Sequence, residues 1–404
     1  MKNSFLANVA NSHSNTEIWW DACLSVHDEW CKELKKHPKS IDKKALVDDY
    51  IKHFVNKNDI SKSLIKGITT NPSLVYRGFL KSNIFQDIHQ KDKEDLFSKD
   101  PHELTWNLYK VTLTETAEQL MPLWAATSGK FGWVCAQVTP DSIFNKDLMI
   151  KQGIELAKLS PNIMAKIPGS SQGYEAIEEL TALGISTNNT LSYTLPQFLA
   201  CAESIEKGLK RAKENNVCLK RWRAVVTDMI GRFGDQQALL DEANAKGITL
   251  TIKDIRWAEL AILKKTYKIL KQKNTPLKIL LASLRIETDK GMCCLRIETD
   301  KGMCWHLQKT AGADLVYTLP PNFIQTLVHH EDRLEKPEPY AIEEEPPSNI
   351  LQKLNSLEYF AKAYAADGLE NNEFNHHPAL LHSVQELTNV YGEFLSFSKN
   401  LLNA

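Results

Sequence analysis

None of the eight cysteines stands in a Cys-x-x-Cys pair, so neither a disulfide framework nor a zinc-ligand set is expected. Neighbours such as Cys293 and Cys294 read as reduced thiols. An excess of one charge is also missing. Lysine plus arginine number 49 and aspartate plus glutamate 50, leaving no net field to hold nucleic acid or an anionic membrane. Long hydrophobic runs are absent as well. The apolar stretch near Met1 is too short for a signal peptide and no later window would span a bilayer, so a cytoplasmic protein is expected. No Gly-x-Gly-x-x-Gly follows the first candidate strand, which leaves a dinucleotide site without support. Neither metal nor cofactor is implied.

What the chain does have is enough apolar residue, 43% of 404, to bury an enzyme-sized core, and a regular alternation of elements. Short apolar runs ending in polar residues recur eight times: Glu17–Asp21, Gly67–Pro72, Trp133–Val138, Ile163–Pro168, Ile185–Leu191, Arg223–Asp228, Lys278–Ser283 and Leu315–Pro320. Helix-like sequence follows each. Ser170 or Ser171 can cap one helix, Gly184 can end it, and Thr194 with Pro196 can start the next. Eight strand-helix units predict an α/β fold, a (β/α)8 TIM barrel, with an open doubly wound sheet as the alternative.

Barrel enzymes place their chemistry at the C-terminal ends of the strands. Those ends carry Asp21, Thr70, Asn71, Gln137, Lys166, Asn188, Thr190, Thr227, Ser283 and Arg285. Lys166 is the most informative, because it sits inside the apolar run Met164-Ala165-Lys166-Ile167-Pro168. A strand that aims a lysine into a dry pocket disfavours the ammonium, so the amine can attack a carbonyl and form a Schiff base. The other reading is a strand-end lysine that reaches for solvent.

Five segments together, Gly67-Ile-Thr-Thr-Asn-Pro-Ser-Leu74, Ala165-Lys-Ile-Pro-Gly-Ser170, Gly184-Ile-Ser-Thr-Asn-Asn-Thr-Leu191, Gly231-Arg232 and Ala282-Ser-Leu-Arg285, resemble the transaldolase family in order and spacing. The resemblance runs over about residues 15 to 330. It implies a cofactor-free barrel enzyme of the pentose phosphate pathway that moves a dihydroxyacetone unit from a ketose phosphate, such as fructose 6-phosphate or sedoheptulose 7-phosphate, to an aldose phosphate. Carried over by position, Lys166 matches the Schiff-base lysine and Asp21 the general acid/base. Asn71, Asn188 and Ser283 match groups that orient the sugar hydroxyls, and Thr190 one that helps hold a catalytic water. Arg232 and Arg285 match the pair that binds the terminal phosphate, a dianion suited to guanidinium forks. Sugar phosphates are thus the implied partners, and a homo-oligomer is compatible with the sequence.

Departures from the pattern bear on the reaction. The family's third strand usually offers a glutamate, whereas this chain reads Ala136-Gln137-Val138-Thr139-Pro140. An amide can position a water but cannot take its proton. Glutamine there resembles the fructose-6-phosphate aldolases, yet their tyrosine after the sixth strand is Met229 here, and Thr227 replaces the family's serine. A second departure is that Leu284 through Cys293 recurs identically as Leu295 through Cys304, too short a period for a solenoid. Arg285 is favoured over Arg296 for the phosphate because it directly follows the apolar strand.

Three segments are expected: a barrel over 1–334 with a long, charged first β-α connection, an acidic proline-rich linker over 335–347, and a C-terminal helical extension over 348–404 that packs on the barrel. His329, His330, His376 and His377 read as surface histidines. Three functions stay open: transaldolase, an aldolase-like or specialised relative, and a sugar-phosphate-binding protein that has lost catalysis.

Overall fold

The computed structural model describes residues 4–36, 40–56, 58–81, 100–287, 295–296 and 304–403. Eight parallel strands close into a barrel: β1 (Glu17–Trp20), β2 (Ile65–Thr69), β3 (Trp133–Gln137), β4 (Ile163–Pro168), β5 (Thr187–Ser192), β6 (Ala224–Asp228), β7 (Lys278–Leu281) and β8 (Leu315–Leu319). Each strand pairs with its neighbours in sequence, and β1 closes on β8 through Trp19 opposite Thr318. The (β/α)8 expectation therefore holds, and the open sheet is excluded.

Strand ends differ by a few residues from the expected ones, most at β2. Pro72 does not extend that strand but begins the helix Pro72–Lys81, where its missing N–H costs nothing. Ser170 rather than Ser171 caps the helix Ser171–Ala182, accepting from the Gly173 amide, and Gly184 ends it at φ 74°. Thr194 caps the helix Leu195–Glu214, accepting from the Gln197 amide.

Because side chains alternate across a strand, one parity fills the barrel. Its lower tier is apolar: Trp19, Trp133, Cys135, Met164, Val225, Leu280 and Val316 form one buried cluster, plugged from beneath by Trp124. Gly67 belongs to this tier because a Cβ there would lie 2.5 Å from the Trp19 ring. At the floor, the buried Glu17 accepts from Trp19 Nε1 at 2.9 Å, Arg223 Nη2 at 2.7 Å and Lys278 Nζ at 2.8 Å. Two residues further along the same strands, the parity turns polar and delivers the site.

The long first connection carries helices His27–Leu34 and Ile41–Phe54, tied down where Trp20 meets Trp30 and Phe54 at 5.1 and 5.2 Å. Residues 335–347 include a short 3-10 turn, Ala341–Glu343, whose carbonyls at Ala341 and Ile342 accept from Lys264. The C-terminal helix Pro378–Leu402 lies against the barrel's outer helices, with Phe394 stacked on Tyr76 at 5.0 Å. His377 is not a surface residue. It is buried in a stack on Tyr193, with rings 6.0 Å apart and 11° from parallel, and burial pushes its pKa down to about 4.

Candidate active site

A cavity of about 350 Å³ opens at the C-terminal mouth of the barrel. The upper tier of the inward parity supplies its floor: Asp21, Thr69, Gln137, Lys166, Thr190, Thr227, Ala282 and Thr318 all line it. Each stands two residues beyond an interior position of its own strand, so strand period alone gathers them.

Lys166 is buried, and its Nζ donates to the Thr70 carbonyl at 3.2 Å. Burial lowers its pKa, opposed by the charge of Asp21. Cys135 stays a thiol, because burial pushes it up to about 11. Asp21 accepts from Thr69 Oγ1, which in turn bonds Thr318 Oγ1. Burial raises the Asp21 carboxyl, opposed by Lys166, the Thr69 bond and Arg232. An amine eased toward neutrality and a carboxyl eased toward protonation thus face one cavity, an arrangement typical of sites that exchange protons.

Gln137 sits opposite Lys166 in the β3–β4 ladder. Its backbone is held from behind by Tyr109, whose hydroxyl donates to the Gln137 carbonyl at 2.9 Å and accepts from the Gln137 amide at 2.8 Å. Its side-chain nitrogen has no hydrogen-bond partner among the described residues, leaving that donor to the cavity. Thr190 and Thr227 line the cavity beside it, as does Met229. Asn188 lies one level deeper, bonded to Cys135 Sγ at 3.1 Å and accepting from Thr227 Oγ1 at 2.7 Å. Asn71 lines the mouth and caps the following helix by accepting from the Leu74 amide at 2.8 Å. Ser283 also lines the cavity, at φ 58°, and Leu191 does so at φ 56°; left-handed side chains of this kind collect at functional sites.

The two arginines are placed differently. Arg232, in the turn Ile230–Gly234, lines the cavity and pairs with Glu386 of the C-terminal helix. Arg285 lies behind Ser283, outside the cavity lining, and donates to Asp235 and, at 2.8 Å, to the Ser283 carbonyl.

Several lining residues were not expected from the sequence: Thr69, Thr318, Arg77, Ser383, Glu386 and Leu387. Strand parity could have found the two threonines, since Thr69 is two residues before Asn71. Ser383, Glu386 and Leu387 share one helix face by their spacing, but nothing local says that this face meets the barrel mouth. Among the described residues no group of three metal-ligating side chains converges, and no helix is long and apolar enough to cross a membrane.

Comparison with known proteins agrees with this geometry. A family model described as transaldolase/fructose-6-phosphate aldolase matches residues 45–376. A transaldolase of Campylobacter jejuni is 30% identical over 199 residues, covering 47% of this chain and 59% of that protein. Transaldolase 2 of Streptomyces avermitilis is 29% identical over 177 residues, 43% of this chain and 46% of its own, and the Thiobacillus denitrificans transaldolase 24% over 204 residues, 50% and 56%. The matched stretch thus spans about half the length of these curated relatives. A closed eight-stranded barrel, with an inward lysine on its fourth strand and a family match over most of its length, makes the chain a member of the transaldolase/fructose-6-phosphate aldolase family.

Proposed function

We propose that this protein is a transaldolase, transferring a dihydroxyacetone unit from a ketose phosphate to an aldose phosphate through a Schiff base on Lys166. The observation that carries the reading is the buried Lys166 amine sharing a cavity with Asp21. Lys166 Nζ adds to the ketose C2 carbonyl, and acid-assisted loss of water gives the protonated imine. Asp21 takes the proton of the C4 hydroxyl as the C3–C4 bond breaks, so an aldose leaves and the bonding pair stays as an enamine. The enamine carbon then attacks the acceptor aldehyde, Asp21 returns the proton, and water releases the new ketose. Thr190 and the free amide of Gln137 hold that water, Asn71, Thr227 and Ser283 face the sugar hydroxyls, Asn188 braces Thr227, and Arg232 with Arg285 receives the phosphate.

A second reading, an aldolase-like enzyme that releases free dihydroxyacetone, is favoured by Gln137, which cannot act as the base a glutamate would supply. Both readings are tested by incubating the protein with fructose 6-phosphate and erythrose 4-phosphate and quantifying sedoheptulose 7-phosphate against dihydroxyacetone. Transfer exceeds release on the leading reading; dominant release, with Gln137→Glu raising transfer, would select the aldolase-like reading.

A further inference from the structure

The duplicated segment takes no part in the chemistry above, yet its first copy begins one residue before Arg285 and its second ends two before His306. Structure ties those two points together. The Arg285 backbone N–H donates to His306 Nδ1 at 3.0 Å. A backbone amide can only donate, so Nδ1 carries the lone pair and Nε2 the proton. Nε2 lies 2.8 Å from Glu259 Oε2 and donates to it. Glu259, on the helix Ile252–Gln272, also accepts from Arg256 Nη1 at 2.5 and 2.6 Å. Both His306 and Glu259 have no side-chain exposure, so the dyad works away from water. Cys304 adds a second tie, its thiol donating to the Arg285 carbonyl at 3.7 Å.

On its other side Arg285 packs on Gly231, where a Cβ would come within 2.2 Å of the Ser283 carbonyl and 3.1 Å of Arg285 Cγ. Gly231 immediately precedes Arg232, so this contact seats the two arginines against one turn. Eleven additional residues after Arg285 would otherwise free the backbone that holds its side chain there.

We propose that the buried Glu259–His306 pair is a positioning device for Arg285: by accepting its amide it clamps the base of the duplicated segment and keeps the side chain against the Gly231–Arg232 turn. The function assigned to the clamp rests on the reading of Arg285 as a phosphate ligand. His306 is a positioning residue and touches no substrate.

Three full-length variants test this. His306→Ala removes the acceptor, His306→Asn keeps a carbonyl that can take the amide, and deletion of residues 286–296 leaves one copy with Arg285, Glu259 and His306 all present. His306→Ala is expected to raise KM for fructose 6-phosphate about tenfold with kcat little changed, to leave activity on unphosphorylated fructose as it was, and to speed hydrogen exchange in the peptide carrying Arg285. His306→Asn should restore most of both. The deletion should behave as wild type. Unchanged exchange at Arg285 in His306→Ala, or a parallel fall on both sugars, would overturn the proposal. So would a tenfold KM rise in the deletion variant, a result that stands even where His306→Ala does not fold. Wild-type enzyme with no preference for the phosphorylated sugar would instead overturn the phosphate reading, and exchange at Arg285 would still decide the clamp.

Discussion

Glu386, on the C-terminal helix, forms an ion pair with Arg232 inside the cavity that holds Lys166 and Asp21. The last helix is therefore a wall of the site. Ser383, one turn earlier, reinforces it by accepting from Arg232 Nη1 at 3.4 Å and from the Tyr193 hydroxyl at 2.7 Å. If Arg232 receives the phosphate as proposed, a carboxylate in this place competes for the same guanidinium.

Replacing Glu386 by Gln should therefore help phosphorylated substrates. The pair is partly exposed, so the gain is modest: KM for fructose 6-phosphate should fall roughly threefold and inorganic phosphate should inhibit more strongly. Steady-state kinetics with and without phosphate checks this. A higher KM would mean that Glu386 orients Arg232 for the substrate and does not compete with it.

On the proposed mechanism, Asp21 and Lys166 govern the pH dependence. Burial disfavours both charged forms, raising the Asp21 carboxyl above 3.8 and lowering the Lys166 amine below 10.5. The forms needed, neutral Lys166 for imine formation and ionised Asp21 for cleavage, both gain population as pH rises, so kcat/KM should climb through the acid limb toward neutrality. Asp21→Asn should cost about 10²- to 10⁴-fold in turnover while imine formation on Lys166 persists. Loss of the imine together with turnover would assign Asp21 to the first step.

At the opposite end of the barrel, Glu17 supports the fold rather than the reaction. Burial alone would raise its carboxyl, but Arg223 and Lys278 hold it below the ordinary 4.5. A carboxyl held low contributes stability that is present above its unfolded pKa and is lost as pH falls through its folded one. Glu17→Gln should thus lower stability by on the order of 3 kcal/mol at neutral pH, leave kcat unchanged, and converge with wild type as the pH drops below 4.5. Denaturant melts at two pH values decide it.

Much of this was legible in the sequence because a strand's period is local. Eight apolar runs gave the barrel, and their last residues gave Asp21, Gln137, Lys166, Thr190 and Thr227, all of which line the cavity. Contacts made across long separations were not legible. Nothing near Arg232 points to Glu386, 154 residues on, and nothing near Arg285 points to Glu259 through His306. His377 was misplaced for the same reason, since the rings that bury it, Tyr193, Phe233 and Tyr359, come from three separate elements.

Covalent chemistry at Lys166 can be read out by borohydride reduction, which turns the imine into a stable amine. Protein incubated with fructose 6-phosphate and borohydride, then digested and weighed by mass spectrometry, should carry a reduced adduct on the peptide containing Lys166 that is absent from Lys166→Met. An unmodified Lys166 in folded protein that still turns over the sugar, or an adduct on another lysine, would contradict it.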